Sequence, residues 1–288
     1  MERREFVKTA VATGAAFGAK AMAQADRGGG VGGANPTSQG RDMGHPQSAP
    51  GQQEFYQLRK YSLRNGAQTA LTQEYFERAL IPALNRMGMA PVGAFKVDVG
   101  PETPTYYVLI PSASDSAAAL VTLDARLGKD AEYVKAASGF RDAPATAPAF
   151  ERAERSLLAA FVGWPKLVAP KLVDGKLPKR IFQLRSYESA SQVAHTRKIA
   201  MFNEAEVGMF TRTGLTPVFF GDTLIGTRMP SLTYMLTFAD TAELTAKWAA
   251  FSADAAWKDL AKRPGNTDAE IVSNISNLYL SPLGCSQI

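Results

Sequence analysis

FYQLRKY at Phe55–Tyr61 returns 126 residues later as IFQLRSY at Ile181–Tyr187. Both heptads alternate, are rich in β-formers and set an arginine between apolar neighbours, so each predicts a strand. At the same offset GMAPV (Gly88–Val92) lies on GLTPV (Gly214–Val218). With one residue of slip Tyr107-Val108-Leu109 aligns with Tyr234-Met235-Leu236, and further on Asp130–Tyr133 aligns with Asp254–Trp257. Four matches in order mean an internal duplication.

Each copy reads β-α-β-β-α-β. After the heptad comes a long amphipathic stretch, Gln68–Met87 in the first copy and Ser191–Thr213 in the second. Ser191 is an expected N-cap, and Gly88 and Gly214 are expected C′ residues. Pro82 is expected to kink the first helix. Hairpin strands are expected near 92–99 with 105–110, and 217–222 with 232–238. Asp115 and Asp240 should begin the second helices, and closing strands fall near 157–162 and 275–280. This order is the ferredoxin-like unit, with both helices on one face of an antiparallel sheet. The fold class is therefore α+β, with two tandem units whose open sheet faces can meet to form a barrel. The expected organisation is 54–165 and 179–288 for the units and 166–178 for a linker between them.

The chain opens MERREFVKTAVATGAAFGAKAMAQA. Arg3-Arg4-Glu5-Phe6-Val7-Lys8 matches the twin-arginine export pattern, and Ala23-Gln24-Ala25 supplies a small-x-small cleavage site. The apolar run from Thr9 to Ala19 is too short and weak to span a membrane. Residues 1–25 thus read as a Tat signal peptide cleaved after Ala25, which implies a partner in the Tat machinery and a periplasmic location. Residues 26–53 are dominated by Gly, Pro, Ser, Asn and Gln and read as a disordered tether, with His45 solvated in it. The formal charge of +5 falls to +3 without the signal, and no run of five like charges exists. A nucleic-acid partner is not expected, because phosphate binding needs a concentrated basic stripe. The one cysteine, Cys285, and the two histidines, His45 and His195, exclude an intramolecular disulfide and argue against a histidine-rich metal site. No GxSxG, P-loop or HExxH motif is present, and the one GxGxxG, Gly28–Gly33, lies in the Gly-rich tether, so no cofactor is indicated by motif.

In order, these features resemble the NIPSNAP family: YxLRxY on a first strand, a long helix ending in Gly, a hairpin, Asp-x-x-Tyr/Trp closing the second helix, and a final strand followed by Pro. The resemblance covers about Glu54–Pro165 and Lys179–Leu283. It implies the dimeric α+β barrel fold, a group that includes small monooxygenases, isomerases and haem enzymes, but no single reaction. The family commonly has Glu where this chain has Gln57 and Gln183, which removes a carboxylate from each copy.

Alternation places Gln57, Arg59 and Tyr61 on one strand face, and Gln183, Arg185 and Tyr187 on the equivalent one. The Leu and aromatic sides are expected under the helices and the Gln-Arg-Tyr sides inside the barrel. Two readings stay open. One is a pocket for a small anionic or carbonyl-bearing ligand, because arginine binds a carboxylate as a fork. The other is an arginine paired with a structural carboxylate, because a buried charge needs a partner. His195, opposite Thr69 of the first copy, reads as a solvated helix residue, with a haem ligand as its functional alternative. Glu74, Glu77, Glu204 and Glu206 read as surface charges, and Trp164, Trp248 and Trp257 as packing. The functions weighed are a ligand-binding or self-assembling barrel, a cofactor-independent monooxygenase or isomerase, and a haem-binding barrel.

Overall fold

The structure, a computed structural model, describes residues 53–112, 116–173 and 177–288. The signal and tether expectations, His45 and Asp115 lie outside the described residues. The first repeat holds β1 (Phe55–Ser62), β2 (Gly93–Val99), β3 (Thr105–Pro111) and β4 (Arg152–Ala160). The second holds β5 (Ile181–Glu188), β6 (Thr216–Ile225), β7 (Ser231–Phe238) and β8 (Asn274–Pro282). All pairings are antiparallel, and the order β1-β3-β2-β8-β5-β7-β6-β4 closes into one barrel within the chain. Two four-stranded sheets therefore supply each other's missing edge, which leaves no unpaired strand among the described residues.

A long helix follows the first strand of each repeat. Helix α1 spans 67–86 and α2 spans 192–212. Each contains a π turn at the same place, Phe76–Leu80 and Phe202–Glu206. Pro82 sits just after the first π turn, but the second repeat has Gly208 there, so the proline does not explain a distortion that both copies share. Ser191 caps α2 by accepting from the Ala194 amide, and Gly88 and Gly214 end the helices at φ 76° and 84°.

The second helical layers differ. The first repeat has short helices, α3 (Ala118–Val121), α4 (Leu123–Leu127), α5 (Ala131–Ala136) and α6 (Ser138–Arg141). The second has α7 (Thr241–Ala253), α8 (Ala255–Lys262) and α9 (Asp268–Ile271). Asp254 is the C-cap of α7, whereas Asp130 ends no helix. Both are N-caps that start α5 and α8, accepting from the amides of Tyr133 and Trp257. Each also holds an arginine from the end of the long helix: Arg86 Nη2 to Asp130 at 2.8 Å, and Arg212 Nη2 to both oxygens of Asp254 at 2.9 Å.

Three apolar clusters result, one under each helical layer and one inside the barrel. The interior cluster contains Tyr56, Leu109, Leu158, Phe182, Leu184 and Met235. The expected facing is thus reversed. The Leu and aromatic sides of β1 and β5 fill the barrel, and the Gln-Arg-Tyr sides lie under the helices. Both faces of these strands are covered, so polarity alternation marks two faces without saying which is inner. Edge-to-face pairs cross between the repeats, Tyr56 with Phe219 and Phe95 with Phe182 at 5.2 and 4.9 Å, each worth about 0.5–1.5 kcal/mol beyond its buried area. Gly221 lets Leu158 in: a Cβ there would stand 2.9 Å from that side chain.

Candidate functional site

The interior of the barrel is graded along its axis. On β1 the inward side chains run Tyr56, Leu58, Lys60, and on β5 they run Phe182, Leu184, Ser186, Glu188. Neighbouring strands follow suit, with Leu158, Ser156, Glu154 on β4 and Leu280, Leu278, Ser276 on β8. At the apolar end Ile288 is fully buried, and Leu167 packs against the same cluster. Val168 donates to the Val218 carbonyl, so this part of the expected linker is tied to β6. The polar end is open and holds a cavity of about 570 Å³. Its floor is Leu58, Val97, Leu184 and Leu278, and its wall carries the hydroxyls of Thr105, Tyr107, Ser156, Ser186, Thr223 and Thr233. Ser186 and Thr233 bond to each other at 2.8 Å, while the Thr105 hydroxyl is buried without a partner among the described residues. Most charges at the rim are paired: Lys60 lies 2.7 Å from Glu102 and 3.3 Å from Glu154, and Arg228 lies 3.9 Å from Glu188, while Arg152 also lines the cavity with no ion pair among the described residues. Burial pushes the Tyr107 phenol up, so it remains a neutral donor at physiological pH.

The six residues expected to line the barrel form two separate clusters between sheet and helices. In the first repeat Arg59 Nε donates to Gln57 at 2.6 Å and Nη2 to Asp124 at 3.0 Å, while Gln57 donates to the Leu120 carbonyl. Arg155 contacts the other oxygen of Asp124. Tyr61 packs with Phe76, Phe140 and Phe150. In this copy the arginine is paired with a carboxylate of the protein itself. In the second repeat Arg185 lies 4.6 Å from the Trp248 ring and donates to the Tyr187 hydroxyl at 2.9 Å. No carboxylate contacts it among the described residues, and its Nε is buried without an acceptor. Gln183 accepts from Trp248 Nε1 at 2.7 Å and donates to Asn277 at 3.3 Å.

Beneath this cluster lies a buried ion pair, Lys198 with Glu206 at 3.3 Å. Lys198 also sits over the rings of Tyr187 and Phe202, at 5.2 and 5.0 Å. Burial pushes the Glu206 carboxyl up against the pull of Lys198. Glu206 is therefore not a surface charge, whereas Glu74, Glu77 and Glu204 are exposed. Its place in the apolar series with Phe202, Met209 and Phe210 was the available signal. Trp248 is more than packing, since its indole holds both Arg185 and Gln183.

His195 is 2% exposed rather than solvated, and its Nε2 is 2.7 Å from Asp222. Its Nδ1 is buried without a partner among the described residues, and the barrel cavity is not lined by it. A haem would need an open nitrogen beside a plate-sized space, so His195 does not fit the role of iron ligand.

Two ferredoxin-like units closing one antiparallel barrel define the class: this is a dimeric α+β barrel condensed into a single chain. The sequence pattern of the NIPSNAP family matches residues 56–142 and 175–287, and the chain belongs to that family. Among curated proteins none matches. Among solved structures, a candidate monooxygenase from Lactobacillus acidophilus is similar at a TM-score of 0.52 and 7% identity, over 80% of this chain and 94% of that one. Another, from Fusobacterium nucleatum, gives 0.51 and 9% over 80% and 93%. A NIPSNAP family protein from Agrobacterium tumefaciens is 15% identical, with a TM-score of 0.34, over 38% of this chain and 98% of that one. At these identities the likeness is one of fold.

Proposed function

We propose that this NIPSNAP protein is an exported binder of a small, uncharged, polar molecule held in the open end of the barrel. The grading of the interior carries the reading. A barrel selected only for packing would fill its axis, because each methyl-sized void costs about 1 kcal/mol. Here about 570 Å³ stays open between leucines and hydroxyls, within the roughly 300–1,000 Å³ of ordinary ligand pockets. At the rim Lys60, Arg152 and Arg228 balance Glu102, Glu154 and Glu188, which favours a neutral guest bearing hydroxyl or carbonyl groups. The Arg3-Arg4 signal supports passage through the Tat machinery to the periplasm, with cleavage after Ala25. Self-association is compatible with this role, although the barrel needs no second chain to close.

Native mass spectrometry on protein exported by its own signal tests the reading. The expected mature chain begins at Asp26 and carries a neutral small molecule, which Ser186→Trp and Thr233→Trp expel by filling the cavity. A guest that survives both substitutions, or none in the folded parent under any growth condition, overturns it.

Cofactor-independent monooxygenase or isomerase chemistry is the second reading. It is favoured by the buried Lys198–Glu206 pair beside Tyr187 and Arg185, since buried acid–base groups are common in active sites. Turnover lost in Lys198→Met but kept in Ser186→Trp would select it.

A further inference from the structure

We infer that Arg185 is the centre of a second ligand site, one that takes a small carboxylate, and that Asp124 of the first repeat displays the group it accepts. Asp124 and Trp248 each stand six residues before the capping aspartate of their repeat, Asp130 and Asp254. Each lies against the arginine of the repeat's first strand. In the first repeat that arginine is complete. Asp124 neutralises it and Gln57 accepts from its Nε.

In the second repeat both partners are gone. The carboxylate is replaced by the Trp248 indole, and the same indole takes the Gln183 oxygen that would otherwise accept from Arg185 Nε. Glu206 is engaged with Lys198. Arg185 thus keeps a fork of N–H groups of which Nη2 reaches only a phenol and Nε reaches no acceptor among the described residues. A guanidinium in that state is matched by a carboxylate, whose two oxygens fit the fork.

Access differs between the repeats in the same sense. Opposite Arg59 on β4 stands Arg155, which clamps Asp124 from outside. Opposite Arg185 on β8 stands Asn277, which is exposed, with Tyr279 and Trp248 half-buried beside it. The surrounding rings of Trp248, Tyr187 and Tyr234 suit a flat apolar body behind the carboxylate, so an aromatic carboxylate is the class assigned. Entry displaces Trp248 from the guanidinium. The site shares no arginine with the barrel cavity, and Ser186→Trp leaves it unchanged.

The test is calorimetric titration of the mature chain with benzoate, with benzamide as the neutral isostere. Saturable benzoate binding is expected, at least tenfold tighter than benzamide, and accompanied by a change in tryptophan fluorescence. Trp248→Asp installs the first repeat's internal carboxylate, so it should fold and bind benzoate at least tenfold more weakly. Arg185→Gln should lose binding as well. Equal binding of benzoate and benzamide, undiminished binding by Trp248→Asp, or no saturable binding to the folded parent overturns the assignment. Retention of benzoate binding by Ser186→Trp separates this site from the barrel cavity, whichever of the two fails.

Discussion

Lys198 and Glu206 span the π turn of the second long helix as an ion pair, 3.3 Å apart and 1% and 3% exposed. The first repeat has Thr72 and Leu80 at these places, and both are fully buried. The shared π turn is therefore independent of the charges. Breaking one side should strand the other charge, at a cost of about 3–5 kcal/mol. Lys198→Met is expected to lose that much in denaturant unfolding, whereas Lys198→Thr with Glu206→Leu should lie within about 1.5 kcal/mol of the parent. A double variant as unstable as the single one would refute the equivalence.

Asp124 holds a buried arginine but is itself half-exposed, so solvent weakens its contribution. Asp124→Asn should cost about 1–2 kcal/mol, above the surface range because Arg59 keeps its charge in a 2% exposed position. Chemical denaturation measures it. No loss would mean that Gln57 suffices for Arg59.

Acid should act in part through the two capping aspartates. The Tyr133 amide, with Arg86, holds the Asp130 carboxyl below its ordinary range, and the Trp257 amide, with Arg212, does the same for Asp254. A depressed carboxyl contributes stability that is complete above the unfolded value, about 4, and is lost as pH falls through the folded value. The melting temperature should therefore drop on going from pH 5 to pH 3, and the drop should shrink in Asp130→Asn with Asp254→Asn. An unchanged pH slope in that variant would place the acid sensitivity elsewhere.

Gly221 faces Leu158 inside the barrel, where an added methyl would sit 2.9 Å from the leucine Cβ. Gly221→Ala should destabilise by about 1–3 kcal/mol through overpacking. Gly265, at φ 82° with nothing near its missing Cβ, provides a contrast: Gly265→Ala should cost only backbone strain, about 1 kcal/mol. Equal melting temperatures for the two variants would show that the barrel wall yields freely.

The duplicated heptad, the β-α-β-β-α-β order and the helix-ending glycines were readable from residue order alone, because period, caps and turn chemistry are local. Facing was not. FYQLRKY has two covered sides, and only closure of the barrel decides that Tyr56 and Leu58 go inward while Arg59 goes under α1 and α4. Register was not readable either. A one-residue slip aligns Tyr107 with Tyr234, yet Tyr107 pairs with Lys60 and faces the barrel, and Tyr234 pairs with Arg185 and faces the helices. In a strand such a slip exchanges the two faces. The divergence of Arg59 and Arg185 likewise depends on residues 63–65 positions away, Asp124 and Trp248, which only packing of the helical layer brings over the sheet.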